Sequence, residues 1–256
     1  MEKSKLKGMV FAALFAALTG AVAWFKLPLP FTPVPITLQT MLVLMSGAML
    51  GPAYGSLAMI IYLVLGAIGL PVFAGGSSGL GVLVGPTGGY LFSYPFAAFL
   101  TGIIIKEKKL GKFLKYFSYT VILALISIVS LDSIFNVGIM KLWDDSSKSY
   151  VPMVSLISGN QRVMLIVISL FVLVLFLVLA FYLKKSKSFS IDVILAMFSG
   201  TLIIYVIGSV QGKFVTGLPW SAILVGWVLP FIIGDTLKLL AAAWILNKVD
   251  IKRYMK

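Results

Sequence analysis

Asp235 and Lys238 stand three residues apart inside the apolar run LPFIIGDTLKLLAAAWIL, residues 229 to 246. On a helix that spacing sends both side chains from one face. Ionisable groups at membrane depth are expensive and mark functional sites by default. Two chemistries fit the pair: an internal ion pair that neutralises both charges within a bundle, or a polar anchor for a ligand that carries N–H donors together with an anionic group. Of the eight acidic residues, only Asp132 also falls well inside an apolar run, in SLDSIFNVGI with Asn136 one turn later. That pairing reads as hydrogen-bonding glue between helices. A second feature is PVFAGGSSGLGVLVGPTGGY, residues 71 to 90, with seven glycines and no charge. Non-helical backbone at membrane depth persists only where it lines a cavity or is buried in protein, so this stretch reads as the wall of a ligand pocket.

The residues that are missing exclude other chemistry. Cysteine and histidine are absent, so there is no thiolate or imidazole to act as nucleophile, base or metal ligand, and no carboxylates cluster to hold a metal. No catalytic residue, metal site or cofactor is expected. The glycine-rich stretch contains no lysine and no Walker-type GxxxxGK[ST] occurs, so ATP is not hydrolysed by this chain. The net charge of +13 comes from lysines placed between apolar runs, not from one basic face interleaved with aromatics, which argues for membrane topology and against nucleic acid.

The elements that must position these groups are membrane helices. Mean hydropathy is +1.08, 60% of residues are hydrophobic and 11% are charged, the composition of a polytopic membrane protein. Eight apolar segments are expected, at about residues 8–25, 37–51, 53–69, 88–105, 117–140, 151–183, 190–210 and 220–247. Several are short for a hydrocarbon core of roughly 30 Å at about 1.5 Å per residue, which suits a bundle with loops dipping inward from one side. Lys3, Lys5 and Lys7 precede the first segment, but no small-residue cleavage site follows before Pro28, so this segment is expected to remain as a span and not be removed as a signal peptide. Placing the N-terminus in the cytoplasm puts 15 of the 21 basic residues inside, within 3–7, 106–115, 184–187 and 248–256. The resulting topology has both termini cytoplasmic. It leaves the glycine-rich stretch outside, beside KLPLPFTPVPITLQT (26 to 40), whose Pro28, Pro30, Pro33 and Pro35 hold the backbone extended. Two stiff loops on one face would make a lid and a floor.

Residues 33 to 90, from PVPITLQTMLVLMSG to VGPTGGY, together with VLPFIIGDTLKLLAAAWI at 228 to 245, resemble the BioY family, the biotin-specific S components of energy-coupling-factor (ECF) transporters. The resemblance covers roughly 1–112 and 190–250. It implies an all-α integral membrane fold, a six-helix bundle with the vitamin bound near the outer face of the cell membrane, and it implies biotin uptake. Where the family has a short cytoplasmic connection, this chain carries about 75 further residues. The expected organisation is therefore a core of helices one to four (1–112), an inserted segment with about two extra membrane helices (113–189), and the last two core helices (190–256).

Carried over by motif, the resemblance implies a set of site residues. Gln39 in TLQT would contact the ligand or close the loop over it, the alternative being a helix cap. Gly75, Gly76, Ser77 and Ser78 would offer backbone and hydroxyl groups to the bicyclic ring, against the alternative of a tight turn. Tyr90 would supply an amphipathic wall with a hydroxyl handle, unless it belongs to an interfacial belt. Asp235 would accept from the ureido N–H groups and Lys238 would pair with the valerate carboxylate. In segment one, FAALFAALTGAVAWF places alanines at 13, 17 and 21, a line along which a second helix can approach closely. The family resemblance makes Ala13 and Ala17 candidates for meeting the transmembrane coupling subunit, which would act with two ATPase subunits, unless they pack inside their own bundle. A stand-alone biotin facilitator, a membrane-embedded enzyme of vitamin metabolism, and a scaffold that has lost binding are the rival readings.

Overall fold

A computed structural model describes residues 2–29, 32–106, 141–144, 149–152 and 191–248, with isolated positions between 147 and 174. The helix α1 (Glu2–Ala23) buries Ala12, Phe15, Ala16 and Thr19 against its neighbours and leaves Val10, Leu14 and Leu18 exposed. Apolar side chains on every face are what a helix between protein and lipid requires. The proline-rich loop then forms an antiparallel hairpin, β1 (Lys26–Leu29) and β2 (Thr32–Thr37), pairing Lys26 with Thr37 and Leu27 with Ile36 and slipping register before Leu29. The extended backbone expected from its prolines is thus folded back on itself.

The next helical element, α2 (Gln39–Ala67), breaks at Gly51, which has φ 78° immediately before Pro52. A proline disfavours helical geometry in the residue that precedes it, and glycine alone reaches positive φ without steric cost. The break is a reversal. A side-chain carbon at Gly55 would lie 2.7 Å from the Cα of Gly47, and Ser46 Oγ donates to the carbonyl of Gly55 at 3.4 Å. In a straight helix those glycines would be about 12 Å apart. The two apolar segments expected at 37–51 and 53–69 are therefore two arms of one tight helical hairpin, 39–50 and 52–67, whose glycines let the backbones touch.

The glycine-rich stretch follows as a single 3-10 turn (Ala74–Gly76) and a short helix, α3 (Leu80–Val84). Then comes α4 (Gly88–Lys106), which packs on α2 and on α5 (Ile191–Thr216) and forms the centre of the bundle. Gly102 of α4 sits against Pro52, and Gly200 of α5 sits against Leu44 and Thr101. Last come the single turn α6 (Trp220–Ile223), a π-helical turn (Leu224–Val228) and α7 (Leu229–Lys248). The core at their junction includes Leu44, Met59, Tyr62, Ala97, Ala98, Met197, Ile204 and Trp227.

Among the described residues, α1, α4 and α5 are each long and apolar enough to cross a membrane, and α2 reaches that length only with its two folded-back arms counted as one run. A pair of helical runs bent by 45°, Gly226–Ile232 and Gly234–Leu246, forms a fifth candidate. The protein is a multi-pass helical membrane protein. Most of the expected insertion, including Asp132 and Asn136, lies outside the described residues. Its described portion is a second antiparallel hairpin, β3 (Lys141–Asp144) with β4 (Ser149–Pro152), so the apolar run expected to start at 151 begins with the end of a strand.

Candidate ligand-binding site

The β1–β2 hairpin, the turn after α2, and α4, α5 and α7 surround a cavity of about 350 Å³, within the range of small-molecule sites. Its walls are mostly apolar and aromatic, with Val34, Phe73, Leu91, Tyr94, Ile204 and Phe231 among them. Its polar groups come from a few positions whose hydrogen bonds are already set.

Asp235 is the most heavily committed of them. It is 5% exposed, and its carboxylate accepts from Lys238 Nζ at 2.7 Å, from Tyr205 OH at 2.7 Å and from Thr40 Oγ1 at 3.2 Å. Three donors on one carboxylate fix its orientation and offset the cost of burying its charge. Lys238 also lines the cavity and keeps two of its three N–H donors beyond the one given to Asp235. The ion pair and the cavity wall are thus the same feature, and the two chemistries open in the sequence coincide. Because Asp235 and Lys238 touch each other, they present one donor–acceptor patch.

Gln39 is 2% exposed, and its side chain caps no helix. Its Oε1 accepts from Thr37 Oγ1 at 3.1 Å and its Nε2 donates to Tyr62 OH, tying the end of the hairpin to the second arm of α2. Tyr90 is buried beside the cavity and not at an interface; its ring forms wall, and its hydroxyl donates to the carbonyl of Trp227 in the π turn at 2.5 Å. The expected hydroxyl handle is therefore occupied by backbone. In the glycine-rich turn only Ala74 and Ser77 reach the cavity. Ser77 Oγ donates to the carbonyl of Ala74 at 3.0 Å, and Gly76 N–H donates to Phe73 at 2.9 Å. Gly75, Gly76 and Ser78 are not part of the lining; the positive φ of Gly75 and Gly76 shapes the turn instead.

The structure therefore gathers Gln39, Ser77, Tyr90, Asp235 and Lys238 from distant parts of the sequence. It adds Lys26, Thr40, Tyr94 and Tyr205, which sequence reasoning did not single out. Thr40 is the last residue of the TLQT motif, and Tyr205 is a lone phenol in the run LIIYVIG, where a buried hydroxyl needs a partner; both signals were available. Ala13 and Ala17 lie on α1 away from the cavity lining and are exposed.

A membrane-embedded helical bundle with a partly open, polar-anchored cavity under a hairpin is the architecture of a small-molecule-binding membrane protein. The BioY family model matches residues 1–170 and 166–254, and the chain belongs to the BioY family. It is similar to the biotin transporter BioY of Thermotoga maritima, 46% identical over 104 residues, 41% of this chain and 60% of that one. It is also similar to the probable biotin transporter BioY of Pyrococcus horikoshii, 46% identical over 99 residues, 39% of this chain and 60% of that one. The biotin transporter BioY of Lactococcus lactis is 31% identical over 160 residues, 62% of this chain and 82% of that one. Aligned residues thus span about three fifths of the first two relatives. Among solved structures, the S-component for biotin from an ECF-type ABC transporter shares the fold, with a TM-score of 0.60 over 100% of this chain and 99% of that one, at 22% identity.

Proposed function

We propose that this protein binds biotin in the hairpin-covered cavity and serves as the membrane-embedded S component of an ECF-type uptake system, and not as an enzyme. The observation that carries this reading is the Asp235–Lys238 patch inside an otherwise apolar and aromatic cavity. A ureido group has N–H donors and a carbonyl acceptor side by side, which a carboxylate and an ammonium in contact can match together. The aromatic and aliphatic walls suit a fused ring and its alkyl chain. The relatives' names supply the ligand class, since transporters to which this chain is similar are named for biotin.

In this reading both termini are cytoplasmic in the plasma membrane and the cavity opens outward. Residues 1–112 and 190–256 form the binding bundle, with 113–189 an added segment. Energy for uptake comes from a transmembrane coupling subunit and two ATPase subunits. The exposed Ala13 and Ala17 offer the coupling subunit a close approach, with the lipid bilayer covering the rest of that face. Biotin binding to the purified protein without ATP is expected to raise its melting temperature, because a ligand selective for the native state stabilises it by mass action. Unshifted melting of folded protein at saturating biotin would overturn the proposal. Ala13→Leu or Ala17→Leu should weaken recovery of the ATPase module in a pull-down while leaving that thermal shift intact. Uptake by the chain alone in proteoliposomes would instead favour a stand-alone facilitator.

A further inference from the structure

Three charged side chains line the cavity: Lys26, Asp235 and Lys238. Asp235 and Lys238 neutralise each other, so the excess charge of the cavity is that of Lys26. This lysine makes no ion pair or hydrogen bond among the described residues. Its backbone is held in the β ladder opposite Thr37. Its Cε and Nζ occupy the space that a side chain at position 75 would need, and Gly75 has a φ of 70° that other residues rarely adopt. The turn therefore makes room for the lysine, whose methylenes lie across it while the ammonium stays near the cavity and in contact with water.

Building on the biotin reading, we infer that Lys26, and not Lys238, recognises the carboxylate of the ligand. An elongated molecule whose ureido group meets the Asp235–Lys238 patch must carry its carboxylate away from that patch, across the length of a ring and an alkyl chain. The unpaired cation lies on the hairpin side of the cavity, where the carboxylate would emerge. Placing the anion there completes the charge balance of the site without removing Lys238 from Asp235, which would leave a buried carboxylate short of its counter-charge. It also links ligand charge to the hairpin, so that a bound acid holds β1 against the Gly75 turn.

The test is calorimetric titration of the purified full-length chain with biotin and with biotin amide, which keeps the ring and chain but lacks the charge. Wild-type protein is expected to prefer the acid by about tenfold, the lower end for a charge-assisted hydrogen bond because Lys26 is open to water. Lys26→Met should bring the two ligands to near-equal affinity, and Lys26→Arg should retain the preference. Lys238→Met should weaken both ligands and keep their ratio. An unchanged ratio in Lys26→Met, or a wild-type protein that binds both ligands equally, overturns the assignment of Lys26 and leaves the biotin reading standing. A folded wild-type protein that binds neither ligand overturns both.

Discussion

The two ends of the cavity are built in opposite ways. At the α7 end, Asp235 is buried and saturated by donors from Thr40 on α2, Tyr205 on α5 and Lys238 on its own helix. At the hairpin end, Lys26 is exposed and without a partner among the described residues, on a strand that joins the rest of the site through the Thr37–Gln39–Tyr62 chain. One end is fixed before any ligand arrives, and the other is held through a short polar link. Preorganisation lowers the cost of ordering at the deep end, while an exposed lysine at the hairpin end keeps its side-chain freedom until it meets a counter-charge.

The contrast is broken most severely at Asp235. Asp235→Asn leaves the Lys238 ammonium without its counter-charge in a largely buried position, a loss on the order of 3 kcal/mol in stability. Thermal unfolding should report it, together with loss of biotin binding. The double variant Asp235→Asn/Lys238→Met should recover much of the stability but not the binding, because it removes both charges together. Recovery of binding as well would mean that the patch is structural only. The next largest effect falls on the hairpin end. Gly75→Ala forces a left-handed backbone on a residue with a Cβ, at a cost of about 1–2 kcal/mol, and displaces Lys26. Its dissociation rate for biotin should rise while the affinity for the amide changes little, as stopped-flow release measurements can check. The smallest is Tyr205→Phe, which takes one hydrogen bond of three from Asp235 and should cost about 1 kcal/mol in biotin affinity by titration calorimetry. A larger effect on stability than on binding would move Tyr205 from the site to the scaffold.

The fixed end was also the legible one. A charged pair at i, i+3 in an apolar run stands out against its background, and the resemblance picked out the TLQT and GPTGGY motifs. The Gly51–Pro52 dipeptide separated two short apolar segments, and the fold-back at that point makes them antiparallel arms and not one continuous helix. What was missed lay in residues whose types have a common, dull explanation. Tyr205 looked like any tyrosine in a membrane helix, because its partner is thirty positions away in sequence and only tertiary packing brings them together. Lys26 reads in the sequence as one more lysine beside a span, a residue that usually reports topology and nothing else. The glycines at 75 and 76 drew attention for a different reason from the one the structure gives: they accommodate Lys26 and Trp24, and they do not line the cavity with their own backbone. The 113–189 segment had neither a motif nor a resemblance to guide its reading.

The doubled-back α2 element has a consequence for how the chain enters the membrane. No charged residue occurs anywhere between Gln39 and Ala67, so its turn has no positive anchor of its own. A basic group on another helix lies beside it: a side-chain carbon at Gly51 would sit 3.8 Å from Cδ of Lys106, at the end of α4. Both arms are synthesised before Lys106, the basic residue that lies beside their turn. Until that residue is made, the close Gly47–Gly55 approach is available to hold the arms together, so a bulky residue at either glycine would act on the assembly of the hairpin before it acts on the finished bundle.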